Sequence, residues 1–75
     1  MPRSVTKRSV RIAGRETSVG LENNFWDYLK EIAEERHCAI GELIAQIKET
    51  SPQRNLSSAI RVFVLEYFHE KAANK

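Results

Sequence analysis

The chain has 75 residues, so it forms one domain at most, and a domain of this size buries only about 60% of its unfolded surface. Its single cysteine, Cys38, excludes an internal disulfide and fits a reducing compartment. The first residues lack the apolar core of a signal peptide, and no apolar run reaches the roughly 18 residues of a membrane span. We therefore expect a soluble cytoplasmic protein, with self-association compensating for its small core.

The basic residues are concentrated at the N-terminus. Residues 1–15 carry five bases and no acid, whereas residues 16–75 carry seven bases and ten acids, so the net charge of +2 divides into +5 and −3. A basic arm on an acidic body is common in nucleic-acid-binding proteins, and a solvated tail fits the charge equally well. The five bases are Arg3, Lys7, Arg8, Arg11 and Arg15.

Two stretches of alternating polarity predict two half-buried strands. Val10 and Ile12 share one face of the first, opposite Ser9, Arg11 and Ala13. Residues 14–15 indicate a turn, and a hairpin is one arrangement that the two strands allow. In the second strand the apolar face carries Thr17, Val19 and Leu21, and the other face carries Glu16, Ser18, Gly20 and Glu22. An isolated two-stranded ribbon is barely stable, so it needs helices beneath it or a partner strand beside it.

Three helical segments follow. The first begins near Asn23 and Asn24, with Asp27 in its first turn, and ends near residues 36–37. The second ends before residues 50–52, because proline disfavours helix in the residue before it; the third opens at Asn55, a good cap. Apolar residues recur at helical spacing in each: Phe25, Trp26, Leu29, Ile32 and Ala33; Ile40, Leu43, Ile44 and Ile47; Leu56, Ile60, Phe63, Val64, Tyr67 and Phe68.

A short basic strand followed by helix, tight turn and helix resembles the ribbon-helix-helix plan of the Arc and methionine-repressor superfamily. The chain is similar to a bacterial subfamily of short proteins that share "KRSVRIAG", "TSVGLE" followed by "FWDYLKEIA", and "NLSSAIRVFVLEYF", over roughly residues 7–68. The resemblance implies a mainly α fold with a short N-terminal β-ribbon, in the order β-β-α-α-α. It also implies an intertwined homodimer whose antiparallel ribbon enters the major groove of double-stranded DNA.

Under this plan one ribbon face packs on the helices and the other contacts base edges. Thr17, Val19 and Leu21 suit the packed face. A ribbon fits the major groove, where each base pair shows a distinct donor and acceptor pattern. Ser18 would contact either kind of edge, and Glu16 would accept from a cytosine amino group. A solvated strand face is an equally weighted alternative for these two residues.

The same plan predicts phosphate contacts beside the ribbon. The second helix would direct its N-terminus at a phosphate, through backbone amides near Ile40 and Gly41. Three features depart from the plan: Gly20 offers no side chain, Glu16 would repel phosphate unless it met a base, and residues 36–39 lack a glycine and a Ser or Thr cap. The first strand and the third helix are additions that could enlarge the dimer core or bind another protein. The predicted side-chain contacts come from Lys7, Arg8, Arg11 and Arg15, with Ser9 on the strand face of Arg11.

Other chemistry lacks its residue pattern. His37 and Cys38 are adjacent without a second cysteine for zinc, His69 is isolated, and no glycine-rich phosphate loop exists. We expect no metal, no cofactor and no enzymatic activity, and we expect the aromatic residues to pack in the core. A solvated helical face accounts for Glu31, Glu34, Glu35 and Glu42.

Two functions remain at this point. The first is a DNA-binding transcriptional regulator, a repressor or autoregulator; the alternative is a protein-interaction or antitoxin-like module that uses the third helix of the same dimer fold. DNA binding is favoured if Arg8, Arg11 and Arg15 lie on one dimer face with Ser18, and a partner protein is favoured by an exposed apolar patch on the third helix that is left over after dimerisation. The predicted division is a flexible basic arm at 1–6, the ribbon-helix-helix domain at 7–69 and a frayed tail at 70–75.

Overall fold

The computed structural model describes residues 5–73 of the chain. Two antiparallel strands, β1 (Val5–Ile12) and β2 (Arg15–Glu22), precede three helices, α1 (Asn23–Glu35), α2 (Ile40–Thr50) and α3 (Leu56–Ala73). The predicted order β-β-α-α-α is confirmed. In this range no helix is long and apolar enough to cross a membrane.

The strands form a tight hairpin. Ile12 lies opposite Arg15, so the loop between them consists of Ala13 and Gly14 alone. Both loop residues have positive φ, 51° for Ala13 and 80° for Gly14, which is the conformation of a type I′ turn. The predicted turn at residues 14–15 is therefore wrong by one position, because Arg15 already belongs to β2.

The core lies between the hairpin and the helices. The inner face of the hairpin buries Val10, Ile12, Val19 and Leu21, none more than 7% exposed, and this confirms the predicted apolar faces. β1 lies over α2, and β2 lies over α1 and α3. Burial of each large apolar side chain stabilises the fold by about 1.5–3 kcal/mol, so the helix layer, more than the ladder, holds the hairpin. The helices contribute Leu29, Ile32, Ala33, Leu43, Ile44, Ile47, Ala59, Ile60 and Val64.

Helix α1 begins without a side-chain cap. Its N-cap is Glu22, and no side chain there accepts a capping hydrogen bond. The Oδ1 of Asn24 instead accepts from the neighbouring Phe25 N–H at 3.0 Å. The predicted cap at Asn23 or Asn24 is wrong, and Asp27 lies beyond the first turn, because the chain passes directly from β2 into the helix.

The boundary between α2 and α3 follows the sequence closely. Helix α2 runs through Thr50, one residue into the predicted break, and its last turn is closed by a hydrogen bond from Ser51 N–H to a carbonyl of the helix. Asn55 caps α3 as predicted: its Oδ1 accepts from the N–H groups of Ser57 at 3.0 Å and Ser58 at 3.3 Å.

The turn after α1 replaces the missing glycine with histidine. His37 has a φ of 57°, in the left-handed region that favours glycine. The N–H of His37 donates to the Glu34 carbonyl at 3.1 Å, and the N–H of Cys38 donates to the Ala33 carbonyl at 3.0 Å. This pair of hydrogen bonds is a Schellman motif, so a histidine carries out the role that the sequence pattern assigns to glycine.

The ends of the elements differ from the predicted boundaries. β1 includes residues 5 and 6, which were predicted as part of the arm, and α3 includes residues 70–73, which were predicted as part of the tail. The rest of the predicted arm, with Arg3, and residues 74–75 lie outside the described residues.

Candidate nucleic-acid interface

The hairpin turns one face away from the helices, and this outer face carries polar side chains. All of its residues are exposed except Gly20 and Glu22, which are half-buried. The alternation predicted from the sequence is therefore confirmed on both strands, and five predicted site residues meet on one surface. The outer face consists of the cross-strand pairs Val5–Glu22, Lys7–Gly20, Ser9–Ser18 and Arg11–Glu16.

The two strands of the outer face carry opposite charge. β1 contributes Lys7 and Arg11, and β2 contributes Glu16 and Glu22. The Oε1 of Glu22 lies 2.9 Å from the Nε of Arg61 in α3, so the helix layer balances this carboxylate. The ion pairs of the described residues involve neither Lys7 nor Arg11. Strand β1 thus presents two uncommitted basic side chains beside the exposed Glu16 carboxylate.

Arg8 belongs to the inner face, so the expectation that it shares a face with Ser18 is wrong. Its guanidinium carbon lies 4.8 Å from the centre of the Trp26 ring, and its Nη2 donates to Oδ1 of Asn23 at 2.6 Å. Its Nε is buried with no hydrogen-bond partner among residues 5–73. A cation–π contact of this kind contributes about 0.5–2 kcal/mol, so Arg8 fastens β1 to α1. The sequence indicates the inner position of Arg8, because Arg8 lies two residues before Val10 and therefore on the same strand face.

Arg15 also departs from the predicted polar face. It lies opposite Ile12 at the tip of the hairpin, with the parity of the inner face, although its side chain is exposed. There it lines a shallow cleft with Lys48 and Glu49 of α2 and Pro52. Of the three arginines expected to share a face with Ser18, Arg11 alone does so, and Lys7 is the second basic residue on that face.

The N-terminus of α2 abuts β1. A Cβ at Gly41 would lie under 3.0 Å from the Arg11 carbonyl oxygen, a separation that real Cβ atoms essentially never show. This close approach brings the predicted backbone amides of Ile40 and Gly41 beside Arg11. The carboxylate of Glu42 accepts from the Ala39 N–H at 3.0 Å and stabilises the first turn. Three of the predicted phosphate contacts, Arg11, Ile40 and Gly41, therefore lie together, next to the acidic side chain of Glu42.

The edge of strand β2 that faces away from β1 is contacted by α3 at Gly20 and is open at Ser18 and Glu16. The Ser57 hydroxyl donates to the Gly20 carbonyl at 2.6 Å, so the backbone polar groups of Gly20 point away from β1. Backbone direction alternates along an antiparallel ladder, so Ser18 and Glu16 direct their N–H and C=O groups the same way. The outer edge of β1, by contrast, is covered at Arg11 by α2. An uncovered strand edge is a template for pairing with another strand.

The sequence reasoning missed the α3 residues that shape this edge. Ser57 contacts Gly20, and Arg61 contacts Glu22, across 37 and 39 positions of the chain. No local pattern signals pairs of such long range. The spacing of four between Ser57 and Arg61 shows only that they share one helix face.

A cleft between α1 and α3 exposes apolar side chains. Tyr28 is 44% exposed and Leu65 is 61% exposed, and the Phe68 ring packs edge-on against Tyr28 with ring centres 5.6 Å apart. The single chain therefore exposes an apolar patch on the third helix, and this patch would favour a protein partner if it stays exposed in the dimer. The cleft is lined by Asn24, Phe25, Tyr28, Val64, Leu65 and Phe68.

A strand ribbon with a polar outer face, carried on a layer of helices, defines the class of ribbon-helix-helix folds. The model of the family described as "Ribbon-helix-helix domain" matches residues 5–68. The chain therefore belongs to the ribbon-helix-helix domain family, as its sequence blocks predicted, and proteins of this family are typically non-enzymatic and bind DNA. No curated protein and no solved structure matches the chain.

Proposed function

We propose that this protein is a non-enzymatic transcriptional regulator, a repressor or autoregulator, that binds the major groove of DNA as a homodimer. The observation that carries the proposal is the outer face, where short polar side chains lie between two uncommitted basic side chains and no helix covers them. A β-ribbon fits the major groove, and bases beside it supply the sequence-independent attraction to phosphate.

The proposed dimer pairs the open edges of two β2 strands. A two-fold axis at Ser18 would place it opposite Ser18 of the second copy, and Glu16 opposite Gly20 of the second copy. Each copy would then satisfy the outward backbone groups of Ser18 and Glu16 in the other, and the Gly20 carbonyl, which already accepts from the Ser57 hydroxyl, would use its second lone pair. Such pairing also enlarges the small core of a chain of 75 residues.

A disulfide tests this pairing. Directly opposed residues that exchange hydrogen bonds have Cα atoms about 5.5 Å apart, within the range that a disulfide spans. Ser18→Cys in a Cys38→Ala background should form a covalent dimer on mild oxidation. Ser9→Cys in the same background is the matched control, because β1 lies away from the axis, and it should remain monomeric on a non-reducing gel. Sedimentation of the unmodified chain as a monomer at micromolar concentration would contradict the dimer.

Base recognition is assigned to Ser18 and Glu16. Both are exposed, and in the proposed dimer Ser18 lies at the two-fold axis with Glu16 two residues away. The hydroxyl and the carboxylate match donors or acceptors of base edges. A lost or mismatched base contact costs about 1–3 kcal/mol, whereas phosphate contacts carry no sequence information. Glu16 also opposes the phosphate field, so its contact with a base must outweigh that repulsion.

Competition between a selected duplex and a scrambled duplex at fixed salt tests the assignment. Ser18→Ala should lower affinity for the selected duplex only. Glu16→Gln should relax specificity at one position in each half-site. Ser58→Ala is the control, because Ser58 is also an exposed serine but lies on α3, away from the outer face. An unchanged ratio of specific to nonspecific binding in all three variants would refute base recognition by the outer face.

The alternative function, a protein-interaction or antitoxin-like module, is supported by the cleft between α1 and α3. Leu65→Glu separates the two functions, since it charges the most exposed large apolar residue of that cleft. If DNA binding through the outer face is the function, the variant should keep its affinity for the selected duplex. Loss of a co-purifying protein with unchanged DNA affinity would assign the cleft to a partner.

A further inference from the structure

Strand β1 gives each subunit two strands, where a dimeric ribbon needs only one from each. It is fixed in place from three directions: eight residue pairs join it to β2, Val10 and Ile12 are buried, and α2 presses on its outer edge at Arg11. A second copy can therefore pair with the edge of β2 that residues 5–73 leave open at Glu16 and Ser18. A dimer formed there has a four-stranded sheet in the order β1, β2, β2, β1.

The width of that sheet exceeds the groove. Neighbouring strands lie about 4.8 Å apart, so three gaps separate the axes of the two β1 strands by about 14 Å. The major groove is about 12 Å wide. Only the central pair of strands can enter it, and the flanking strands must lie above its edges, where the phosphates are.

We propose that the two β1 strands lie along opposite walls of the major groove and bind the two DNA backbones through Lys7 and Arg11, while the β2 strands enter between them. The proposal rests on the DNA-binding function proposed above and assigns the two strands of the hairpin different roles. β1 determines affinity without sequence preference, and β2 determines sequence preference.

The charge pattern of the outer face fits this placement. Across the sheet the order is basic on β1, acidic or neutral on the two β2 strands, and basic again on β1. Across the groove the order is anionic phosphate, a floor that presents cytosine amino donors, and anionic phosphate. Arg11 is also the residue that α2 abuts, so the amides of Ile40 and Gly41 would lie at the same wall as its guanidinium.

The salt dependence of binding tests the role of β1. Each phosphate contact contributes about 0.9 to the slope of log affinity against log salt, and a dimer loses four contacts when both bases are removed. Lys7→Ala/Arg11→Ala should therefore flatten the slope by about 3.6 units and weaken selected and scrambled duplexes by the same factor. Lys30→Ala/Lys48→Ala is the control: it removes the same charge from exposed positions on α1 and α2 and should leave most of the slope in place.

A disulfide within the hairpin tests whether β1 stays paired in the complex. Val10 and Thr17 are opposite each other on the inner face, so Val10→Cys/Thr17→Cys in a Cys38→Ala background should link β1 to β2 without altering the outer face. The oxidised and reduced forms should bind the selected duplex with affinities within about twofold of each other, with matching circular dichroism as the check on folding.

The outcomes distinguish this inference from the proposed function. If the unmodified protein shows no salt-dependent binding to any duplex, both are wrong. If it binds but the alanine pair leaves the slope unchanged, or the oxidised hairpin binds more than tenfold more weakly than the reduced form of the same fold, β1 does not lie on the groove walls. DNA binding would then stand without this role for β1.

Discussion

Replacing Gly41 by alanine tests the contact that fixes α2 against β1. The added Cβ would lie under 3.0 Å from the Arg11 carbonyl oxygen, and ordinary contact begins at 3.4 Å, so either the helix or the strand must move. Backbone oxygen cannot rotate away as a side chain can. Overpacking of this kind typically costs about 1–3 kcal/mol, while alanine in place of glycine gains at most about 1 kcal/mol in a helix. We expect Gly41→Ala to lower the free energy of unfolding by about 2 kcal/mol, the difference at the upper end of the overpacking range, because the overlap is with backbone and lies well below 3.0 Å.

Urea denaturation followed by circular dichroism measures this change, with the slope m checked against the wild type. Gly20→Ala is the matched control. Its Cβ would lie 3.1 Å from Cγ1 of Val5, an exposed side chain that can rotate, so its stability should stay within about 0.5 kcal/mol of wild type. A Gly41→Ala protein as stable as wild type would show that α2 does not press on β1. The inference that Arg11 and the α2 amides lie at the same wall of the DNA groove would then lose its support.

Three further predictions concern the two turns with positive φ and the contacts of Glu35 in α1 with Tyr67 and Lys71 in α3. His37→Gly should raise the free energy of unfolding by about 0.5–1 kcal/mol, because the left-handed conformation costs a side-chain-bearing residue more than glycine; a lower urea midpoint would contradict this. Ala13→Asn should raise the urea midpoint, since Asn-Gly is the preferred pair of a type I′ turn, whereas a drop would exclude that turn. Hydrogen bonds from Lys71 and Tyr67 lower the pKa of Glu35 below 4.5, so its contribution to stability is present above the unfolded pKa and is lost as pH falls through the lower folded value. Glu35→Gln should remove the part of the stability loss at low pH that comes from Glu35. It should also return the pKa of Tyr67, which the hydrogen bond to Glu35 raises, toward 10.0, and an unmoved tyrosine titration would contradict the contact.

The elements of this fold were predictable because each has a local cause. Alternation identified the inner residues of both strands, and the spacing of Leu43, Ile44 and Ile47 identified the buried stripe of α2. The Asn55 cap was predictable for the same reason, since its side chain bonds backbone only two and three residues ahead.

The parts that the sequence did not predict depend on neighbours far along the chain or on the strand face that a single residue occupies. The charge of Arg8 predicted a phosphate contact, although Arg8 has the strand parity of Val10; only the stack on Trp26 shows what balances a base on the inner face. The close approach of Gly41 to Arg11 joins positions 30 residues apart, and nothing in either segment indicates it. The outer face with Lys7 and Arg11 could therefore be predicted as a surface, but the stack of Arg8 on Trp26 and the open edge of β2 could not.

Mapping the DNA contact by NMR tests whether the outer face binds DNA. Uniformly ¹⁵N-labelled protein is titrated with a duplex selected from a random pool, and amide shift changes are followed residue by residue. If the outer face binds DNA, the changes should concentrate at residues 7–11, 16–20 and 40–42, while the amide signals of Tyr28 and Leu65 in the cleft stay in place. Changes concentrated at the cleft, with the amides of Lys7, Arg11 and Ser18 unmoved at saturation, would contradict it.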